Sequence, residues 1–363
     1  MDFRWLAPAC CASFALVIAG ESPAPAGFTR FVAIDNVCAW PNLTLMPDGS
    51  VNATIFGKPS HGQIAGAVEC WNSADGQFWE RRGTPAPNEP ETNRMNVAAG
   101  LAKNGDLLVL CSGWSNIQQA NAPKRAAFRD LILPLWICRS ADGGRTWTRI
   151  KDFPEPDPGW NHYVPFGDIK QGDDGALHAS CYHGAWKAPA KEGGKATGTR
   201  SWHFRSDDDG NTWVRTGTIH PAGNETALLH LGAKRWLAAA RAANMDLFTS
   251  EDDGQTWTGP APVTQKNEIN GHLARLSDGR ILLTYGSRVK TGEQFGVLAK
   301  VSQDDGQTWS EPIRIAHTST SDCGYPSTVQ RAGGKLVTAW YASASAYHAR
   351  YHMGVAIWAP PAS

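Results

Sequence analysis

The sequence has no excess of charge of either sign, because its 34 Lys and Arg residues balance 34 Asp and Glu residues. A chain without net charge builds no long-range field, so we expect neither nucleic acid nor an anionic membrane as a partner. No apolar run with a helical period is long enough to predict a major helix or a membrane span. No Cys-x-x-Cys spacing indicates a zinc site.

Glycine and tryptophan are abundant instead, with 37 and 16 residues among the 363 of the chain. This composition is typical of an all-β protein with many turns. One phrase also recurs. Ser140-Ala-Asp-Gly-Gly-Arg-Thr-Trp147 returns at residues 206–213, 250–257 and 302–309, and a copy one residue shorter occupies 73–79.

The residue types in this phrase predict one local structure. Asp and Gly favour a tight turn, and Gly accepts a positive φ there. The Ser, Asp and Thr side chains can bond the backbone of the turn, while the Trp ring is buried where the next strand begins. Repetition of the phrase therefore predicts a ring or a solenoid of similar units.

The units can be counted from the hairpins that precede the phrases. Paired β-like runs around a turn cover residues 43–56, 97–111, 166–181, 226–240, 273–285 and 328–341. Each phrase then joins a third strand to a fourth. The sequence thus predicts an all-β, six-bladed β-propeller with four-stranded antiparallel blades, and seven blades are the alternative. Residues 28–34 supply the last blade with its missing strand and close the ring.

The N-terminus has the pattern of an export signal. Arg4 provides positive charge, and small and apolar residues follow it. We expect residues 1–26 to be a signal peptide and 27–363 to be the propeller, which places the protein outside the cell or in the periplasm. A lipoprotein anchored at Cys10 or Cys11 is the alternative.

Two further cysteines, Cys38 and Cys323, open units at opposite ends of the chain. Closure of the ring would bring these ends together and would allow a disulfide between them, which the sequence alone does not decide. We expect the protein to be a monomer.

The repeated phrases resemble the Asp-boxes, or bacterial neuraminidase repeats, of the sialidase superfamily. Members of that superfamily bind a substrate carboxylate with three Arg residues and use a Tyr nucleophile paired with a Glu, together with an Asp acid/base. The resemblance implies that Tyr325 and Glu225 are that pair. It also implies that Arg241 and Arg288 are the second and third Arg residues.

Two positions depart from this pattern. Ala39 stands where the first Arg is expected, and His61 is the titrating residue nearest to the place of the acid/base Asp. A second resemblance concerns the propeller family that acts on α-L-rhamnosyl-(1,4)-glucuronate ends of arabinogalactan-type glycans. It rests on Trp40-Pro-Asn-Leu-Thr, Pro59-Ser-His-Gly, Asn93-Arg-Met-Asn-Val-Ala-Ala-Gly and Ser112-Gly-Trp.

This second family, whose described propellers have seven blades, includes lyases and α-L-rhamnosidases, and its lyases use a His on the front face. The resemblance implies that Arg241, Arg288 and Arg94 bind the uronate carboxylate of an acidic oligosaccharide or polysaccharide end. His61 or Tyr325 would remove the C5 proton, and the other would protonate the departing O4. β-Elimination would then release rhamnose and leave an unsaturated uronate.

The predicted catalytic residues are His61, Tyr325 and Glu225. Besides the three Arg residues, the predicted substrate-binding residues lie near the starts or ends of inner strands: Asn93, Trp40, Trp114, His162 and His272. No cofactor is predicted, although three His residues at the axis could also hold a metal ion. The sequence is also compatible with a divergent sialidase, or with a non-catalytic propeller that binds glycans or proteins. Arg94 could instead bond backbone carbonyls, and Glu225 could instead support Tyr325.

Overall fold

The computed structural model of the protein describes residues 27–60, 62–115, 131–185 and 197–360. These ranges hold 25 β-strands and one short 3-10 helix, Thr291–Glu293. The chain begins with β1 (Thr29–Asp35), and the other strands follow in six consecutive groups. The all-β class predicted from composition and patterning is confirmed.

The first three groups contain the strands before the middle of the chain. They are β2 (Cys38–Leu45), β3 (Val51–Phe56), β4 (Val68–Ser73) and β5 (Glu80–Ala86); β6 (Thr92–Leu101), β7 (Leu107–Ser115), β8 (Leu131–Ile132), β9 (Trp136–Ser140) and β10 (Thr148–Ile150); and β11 (Val164–Gln171), β12 (Leu177–Ala185), β13 (Thr197–Ser206) and β14 (Val214–His220).

The last three groups complete the chain. They are β15 (Thr226–Gly232), β16 (Arg235–Arg241), β17 (Met245–Ser250) and β18 (Thr258–Pro262); β19 (Glu268–Arg275), β20 (Ile281–Val289), β21 (Gln294–Ser302) and β22 (Ile313–His317); and β23 (Cys323–Gln330), β24 (Leu336–Ala342) and β25 (His352–Trp358).

Antiparallel pairing connects the strands within each group, and β1 pairs antiparallel with β25. The predicted contribution of an N-terminal strand to the last unit is therefore confirmed. The second and third groups share one sheet, because β6 and β11 form two parallel bridges. The first strands of the groups contact one another in a cycle: β2, β6, β11, β15, β19, β23 and again β2.

The repeated phrase forms the turn that the residue types predicted. In the copy that begins at Ser140, Gly144 N donates to Ser140 Oγ at 2.8 Å, and Thr146 Oγ1 donates to Asp142 Oδ2 at 2.6 Å. The indole N–H of Trp147 closes the turn by donating to Gly144 O at 2.9 Å. The other copies repeat these bonds, and the short first copy, which has Phe78 in place of Thr, lacks only the hydroxyl bond. Each phrase joins the third strand of its group to the fourth.

Apolar side chains fill the spaces between and within the groups, and the ring of each repeat Trp packs on one of these clusters. The disulfide that the sequence allowed between Cys38 and Cys323 is not formed. Both side chains are buried free thiols. Their first strands are neighbours, but Cys38 packs with Trp40 and Phe56, whereas Cys323 packs in the separate cluster around Trp340. The two sulfur atoms therefore belong to different apolar clusters.

The predicted signal peptide, residues 1–26, lies outside the described residues, as does His61. In the part of the chain that the structure describes, no helix has the length and apolar character needed to cross a bilayer.

Candidate functional site

Tyr325 lies near the start of β23, where the register with β24 is irregular between Gly324 and Ser327. Its φ of 51° is in the left-handed region, which a non-glycine residue adopts at a cost of about 1–3 kcal/mol. The ring is buried against Trp40, with 5.0 Å between centroids, and against Phe166, with 6.0 Å. Such strain is stable only where the surroundings hold the residue firmly, and it is concentrated at functional sites.

The hydroxyl of Tyr325 meets a carboxylate and a guanidinium from another group of strands. It donates to Glu225 Oε1 at 2.7 Å, and it accepts from Arg241 Nη1 at 3.0 Å. The same Arg241 nitrogen also donates to Glu225 Oε2, to which Asn270 Nδ2 donates at 2.6 Å. Arg241 N bonds Glu225 O at 2.9 Å, so the hairpin of β15 and β16 fixes the two residues side by side.

The charges around Tyr325 determine its protonation. Burial raises the pKa of the phenol well above its ordinary value, and the Glu225 charge raises it further, although Arg241 and Arg288 act in the opposite direction. Burial lowers the pKa of Arg241, but Glu225 more than compensates, so the guanidinium stays charged. At neutral pH the phenol is therefore protonated, and Glu225 is the acceptor placed to receive its proton.

Arg288 lies near the end of β20 and approaches the ring of Tyr325. Its Nε and Nη2 donate to Cys323 O at 3.1 and 2.9 Å, and Nη2 also donates to Tyr341 Oη at 3.2 Å. Its guanidinium carbon is 5.5 Å from the centroid of the Tyr325 ring. Tyr341 in turn donates to Asp322 Oδ1 at 2.7 Å. Arg288 is thus held in place by the strand that carries Tyr325.

A second polar cluster is formed by residues of β2, β11 and β19, which are the first strands of their groups. His272 Nε2 and Asp168 Oδ2 are 2.9 Å apart, and the same carboxylate accepts from Lys170 Nζ at 2.6 Å and from Asn42 Nδ2 at 2.9 Å. Burial alone would raise the pKa of Asp168, but His272 and Lys170 hold it well below its ordinary value. His272 and Asn42 line a narrow cavity that also touches Tyr325.

Asn93 connects the segment around His61 to the second group of strands. Its Nδ2 donates to Gly62 O and Gln63 O, each at 3.2 Å, and its Oδ1 accepts from Trp114 N at 3.0 Å. The Asn93 side chain is fully buried. The described neighbours of His61 are therefore anchored beside Trp114, which packs on the cluster that contains Tyr325.

Arg94 makes contacts within its own group of strands. Its Nε and Nη2 bond the two oxygens of Glu89 at 3.1 and 2.7 Å, and its Nη1 donates to Pro134 O at 2.7 Å. The guanidinium carbon lies 3.8 Å from the ring centroid of Trp136, and the side chain is 1% exposed. These contacts favour the alternative in which Arg94 bonds a backbone carbonyl, and they leave it poorly placed for a substrate carboxylate.

His162 is half-buried, and its Nδ1 lies 3.7 Å from Glu155 Oε2. Burial lowers the pKa of its imidazole, and Arg94 lowers it further, against the charge of Glu155. None of its described contacts reaches Tyr325 or Glu225. The described ranges also hold no group of three or more His, Cys, Asp and Glu residues that could bind a metal ion.

The structure thus brings together Tyr325, Glu225, Arg241 and Arg288, with Trp40 against the same ring. The place expected for the first Arg holds fully buried Ala39. Sequence reasoning missed Asn270, which bonds Glu225, and Asp168, which bonds His272. Asn270 lies two residues before His272 on β19, and this spacing was the only signal available for it.

Comparison with known proteins identifies the family of this chain. The family model described as "BNR repeat-like domain" matches residues 56–337, which is more than half of the chain. The chain belongs to the BNR repeat-like family. No curated protein matches it in sequence.

Solved structures with the same fold agree with the BNR repeat-like assignment. A protein of unknown function from Dyadobacter fermentans DSM 18053 has 20% identity and a TM-score of 0.76, with 93% of this chain and 100% of that one covered. The Hadza microbial sialidase Hz136 has 17% identity and a TM-score of 0.68, with 89% and 66% covered. Trypanosoma rangeli sialidase has 16% identity and a TM-score of 0.66, with 90% and 55% covered.

At these identities the similarity concerns the fold, which is that of the sialidase β-propellers. This BNR repeat-like chain spans 66% of the first of these sialidases and 55% of the second. The resemblance to enzymes that act on rhamnosyl-glucuronate ends stays a prediction.

Proposed function

We propose that this protein is a six-bladed propeller enzyme that cleaves a glycan at an end carrying a carboxylated sugar, with Tyr325 as the reacting group. The observation that carries the proposal is the 2.7 Å hydrogen bond from the Tyr325 hydroxyl to Glu225. A buried phenol paired with a carboxylate and a guanidinium has no evident purpose in a scaffold. It is the arrangement that makes a Tyr oxygen reactive, because the carboxylate takes its proton as the oxygen acts.

The substrate that we propose is a uronate rather than sialic acid. Among the described residues, Arg241 bonds the Tyr325 hydroxyl and Arg288 approaches its ring, while fully buried Ala39 replaces the third Arg of the sialidase pattern. The adjacent Trp40 instead presents an aromatic ring beside the phenol, which suits the apolar face of a sugar. Two guanidinium groups are enough to bind one carboxylate by charge-assisted hydrogen bonds.

For the reaction we propose β-elimination at a rhamnosyl-(1,4)-glucuronate end. As the phenolic proton passes to Glu225, the Tyr325 oxygen removes the C5 proton of the glucuronate. The electron pair of that C–H bond forms the C4–C5 double bond, and the C4–O4 bond breaks. His61 protonates the departing O4. Arg241 and Arg288 stabilise the charge that builds on the carboxylate.

Hydrolysis with retention is the second candidate, and the Tyr325–Glu225 bond favours it equally. In that reaction the Tyr325 oxygen attacks the anomeric carbon, the glycosidic bond breaks with protonation of the leaving oxygen, and water then cleaves the glycosyl–tyrosine.

One assay separates these reactions. Purified protein is mixed in parallel with a rhamnosyl-glucuronate oligosaccharide and with a sialic acid glycoside, and released sugar and ultraviolet absorbance are followed together. Elimination is expected to release rhamnose with the absorbance of an unsaturated uronate. Rhamnose without that absorbance would replace elimination by hydrolysis, and release of sialic acid alone would replace the uronate substrate. Absence of any product would contradict the proposed enzyme and leave a glycan-binding propeller.

Two features of the proposal come from the sequence. We propose that residues 1–26 direct export, so that the enzyme meets its glycan outside the cytoplasm. We also propose that it acts as a monomer. It needs no cofactor, because elimination and hydrolysis require only side-chain acids, bases and guanidinium groups.

A further inference from the structure

An open depression adjoins the candidate site on the side of Arg288. It is lined by Asn267, Arg288, Lys290, Ser321 and Asp322. These residues come from the turn before β19, from the end of β20 and from the segment before β23. Every lining side chain can form hydrogen bonds, and two of them are cations.

Asp322 is held rigidly at the edge of this depression. Its Oδ1 accepts from Tyr341 Oη at 2.7 Å, and its Oδ2 accepts from Tyr351 Oη. Two phenols on different oxygens fix both the position and the plane of the carboxylate. A carboxylate has about four acceptor positions in all, and the two phenols occupy two of them. The remaining positions of this oriented carboxylate suit a pair of adjacent hydroxyl groups.

The backbone on the opposite edge is fixed as well. Asn267 adopts a φ of 68°, and its N–H donates to Ala243 O at 2.8 Å. Its carbonyl accepts from Arg288 N at 2.8 Å. The Asn267 side chain is therefore presented from a rigid turn, next to the residue that also faces the Tyr325 ring.

We propose that this depression is a second sugar subsite, which binds the sugar through which the glycan continues beyond the uronate. The inference rests on the proposed function of the Tyr325 site. Arg288 belongs to both places, because it approaches the Tyr325 ring and also lines the depression. The cavity beside Trp40 and Tyr325 is narrow, whereas the depression is open to solvent. A continuing chain therefore leaves through the depression.

The lining predicts the chemical class of the occupant. Asp322 accepts bonds from hydroxyl groups, while Lys290 and Asn267 donate to ring and hydroxyl oxygens. The described residues that line the depression include no large apolar side chain. The subsite therefore suits a hydroxylated sugar better than an aromatic or aliphatic group.

The test compares substrates of two lengths. The shorter is rhamnosyl-glucuronate as a methyl glycoside, and the longer carries one galactose in place of the methyl group. Lys290→Gln is expected to lower the ratio of kcat/KM for the longer over the shorter substrate by about three- to tenfold. The matched control is Lys335→Gln, an exposed lysine of the β23–β24 hairpin, which should leave the ratio unchanged. An unchanged ratio in Lys290→Gln overturns the subsite.

Binding to an inactive protein separates this inference from the proposed function. Calorimetric titration of Tyr325→Phe with both glycosides is compared with Tyr325→Phe/Lys290→Gln. Loss of the added affinity of the longer glycoside in the double variant supports the subsite, even if the wild-type protein cleaves neither glycoside and the proposed reaction fails. Equal affinity of the two lengths for Tyr325→Phe overturns the subsite, whatever the wild-type activity.

Discussion

The hydroxyl of Tyr325 donates a 2.7 Å hydrogen bond to Glu225, a residue 100 positions earlier in the chain. Arg241 bonds both partners, so the phenol, the carboxylate and the guanidinium form one closed arrangement. Two groups of strands contribute these three residues, and Asn270 from a third group bonds the same carboxylate. The Tyr325 hydroxyl is therefore positioned by the packing of whole groups rather than by one loop.

Replacement of the phenol should abolish activity without unfolding the protein. In Tyr325→Phe, Glu225 keeps its bonds to Arg241 and Asn270, so we expect little change in thermal stability. The reacting oxygen is lost, so kcat should fall about a thousandfold or more. Both quantities are measured on the same preparation, by thermal denaturation and by turnover of the rhamnosyl-glucuronate oligosaccharide.

Tyr347→Phe is the matched control for that variant, because Tyr347 is 40% exposed on the surface. It should keep full activity. Activity of Tyr325→Phe within a few-fold of wild type would remove Tyr325 from the reaction.

Arg94 should prove to be a residue of stability. Arg94→Met loses two bonds to Glu89 and one to Pro134 O, and it leaves a charged carboxylate without its partner. We expect the free energy of unfolding to fall by about 1–2 kcal/mol, because the buried bond to Pro134 O is lost, whereas Glu89 is 39% exposed and water can solvate its carboxylate. The activity of the molecules that remain folded should be close to wild type.

Urea denaturation gives the stability, and kcat/KM per folded molecule gives the activity. A loss of kcat/KM in Arg94→Met that exceeds tenfold at unchanged stability would restore Arg94 to the predicted carboxylate-binding set.

Buried histidines should make the protein less stable in acid. Burial lowers the pKa of His178 and of His183 from 6.5 to about 4, and it lowers the pKa of fully buried His203 even more strongly. His178 Nδ1 lies 3.1 Å from His203 Nε2, so a positive charge on one ring disfavours a positive charge on the other. Between pH 6.5 and 4 the unfolded chain binds protons that the folded chain excludes.

The free energy of unfolding should decrease as the pH falls below 6.5. Above pH 6.5 these groups are neutral in both states and have no effect. As the pH falls towards 4, the free energy of unfolding should decrease by about 2–3 kcal/mol for each of His178 and His183, and His203 acts in the same direction. Urea denaturation at intervals from pH 7.5 to 4.5 measures this.

His183→Phe is a suitable variant, because His183 stacks between Trp160 and Tyr163 at 4.5 and 4.4 Å and an aromatic ring can replace it. It should lose less stability on acidification than the wild-type protein does. Equal slopes in His183→Phe and wild type would contradict the explanation.

A glycine of the repeated phrase should tolerate alanine less well than a glycine in the open turn between β23 and β24. Gly144 and Gly333 have φ values of 94° and 86°, so alanine is strained at both by about 1–2 kcal/mol. A Cβ at Gly144 would lie 2.5 Å from Cys70 Sγ, whereas nothing lies within 4 Å at Gly333. Gly144→Ala should therefore destabilise the protein by about 1–3 kcal/mol more than Gly333→Ala, measured by urea denaturation. Similar losses in the two variants would show that the phrase packs loosely on its neighbour.

Much of the fold could be predicted because its determinants are local. The Ser, Asp, Gly, Thr and Trp of each phrase bond within a few residues of one another, as the Ser140–Trp147 copy does. Turn residues between alternating apolar runs likewise predicted the hairpins and the strand order. The extra strand β1 also followed from counting, since the last group lacked one partner.

The site was less predictable, because its contacts join distant segments. Resemblance to the sialidase pattern identified Tyr325, Glu225 and Arg241, and their hydrogen bonds unite them. It could not distinguish these from Arg94, which occupies a similar place along its strand but bonds Glu89. The position of a residue in its strand determines how far along the strand its side chain lies. Which residue that side chain contacts depends on how the neighbouring groups of strands pack.

The sequence by itself determined the all-β class, the turn of each repeated phrase and the four-stranded groups, because these depend on short-range bonds and alternating patterns. Only the tertiary structure decided which polar residues meet. It placed Asn270 on Glu225 and Asp168 on His272, and it separated Cys38 from Cys323. Those outcomes depend on the angles between packed sheets and on the direction of each side chain, which no local pattern encodes.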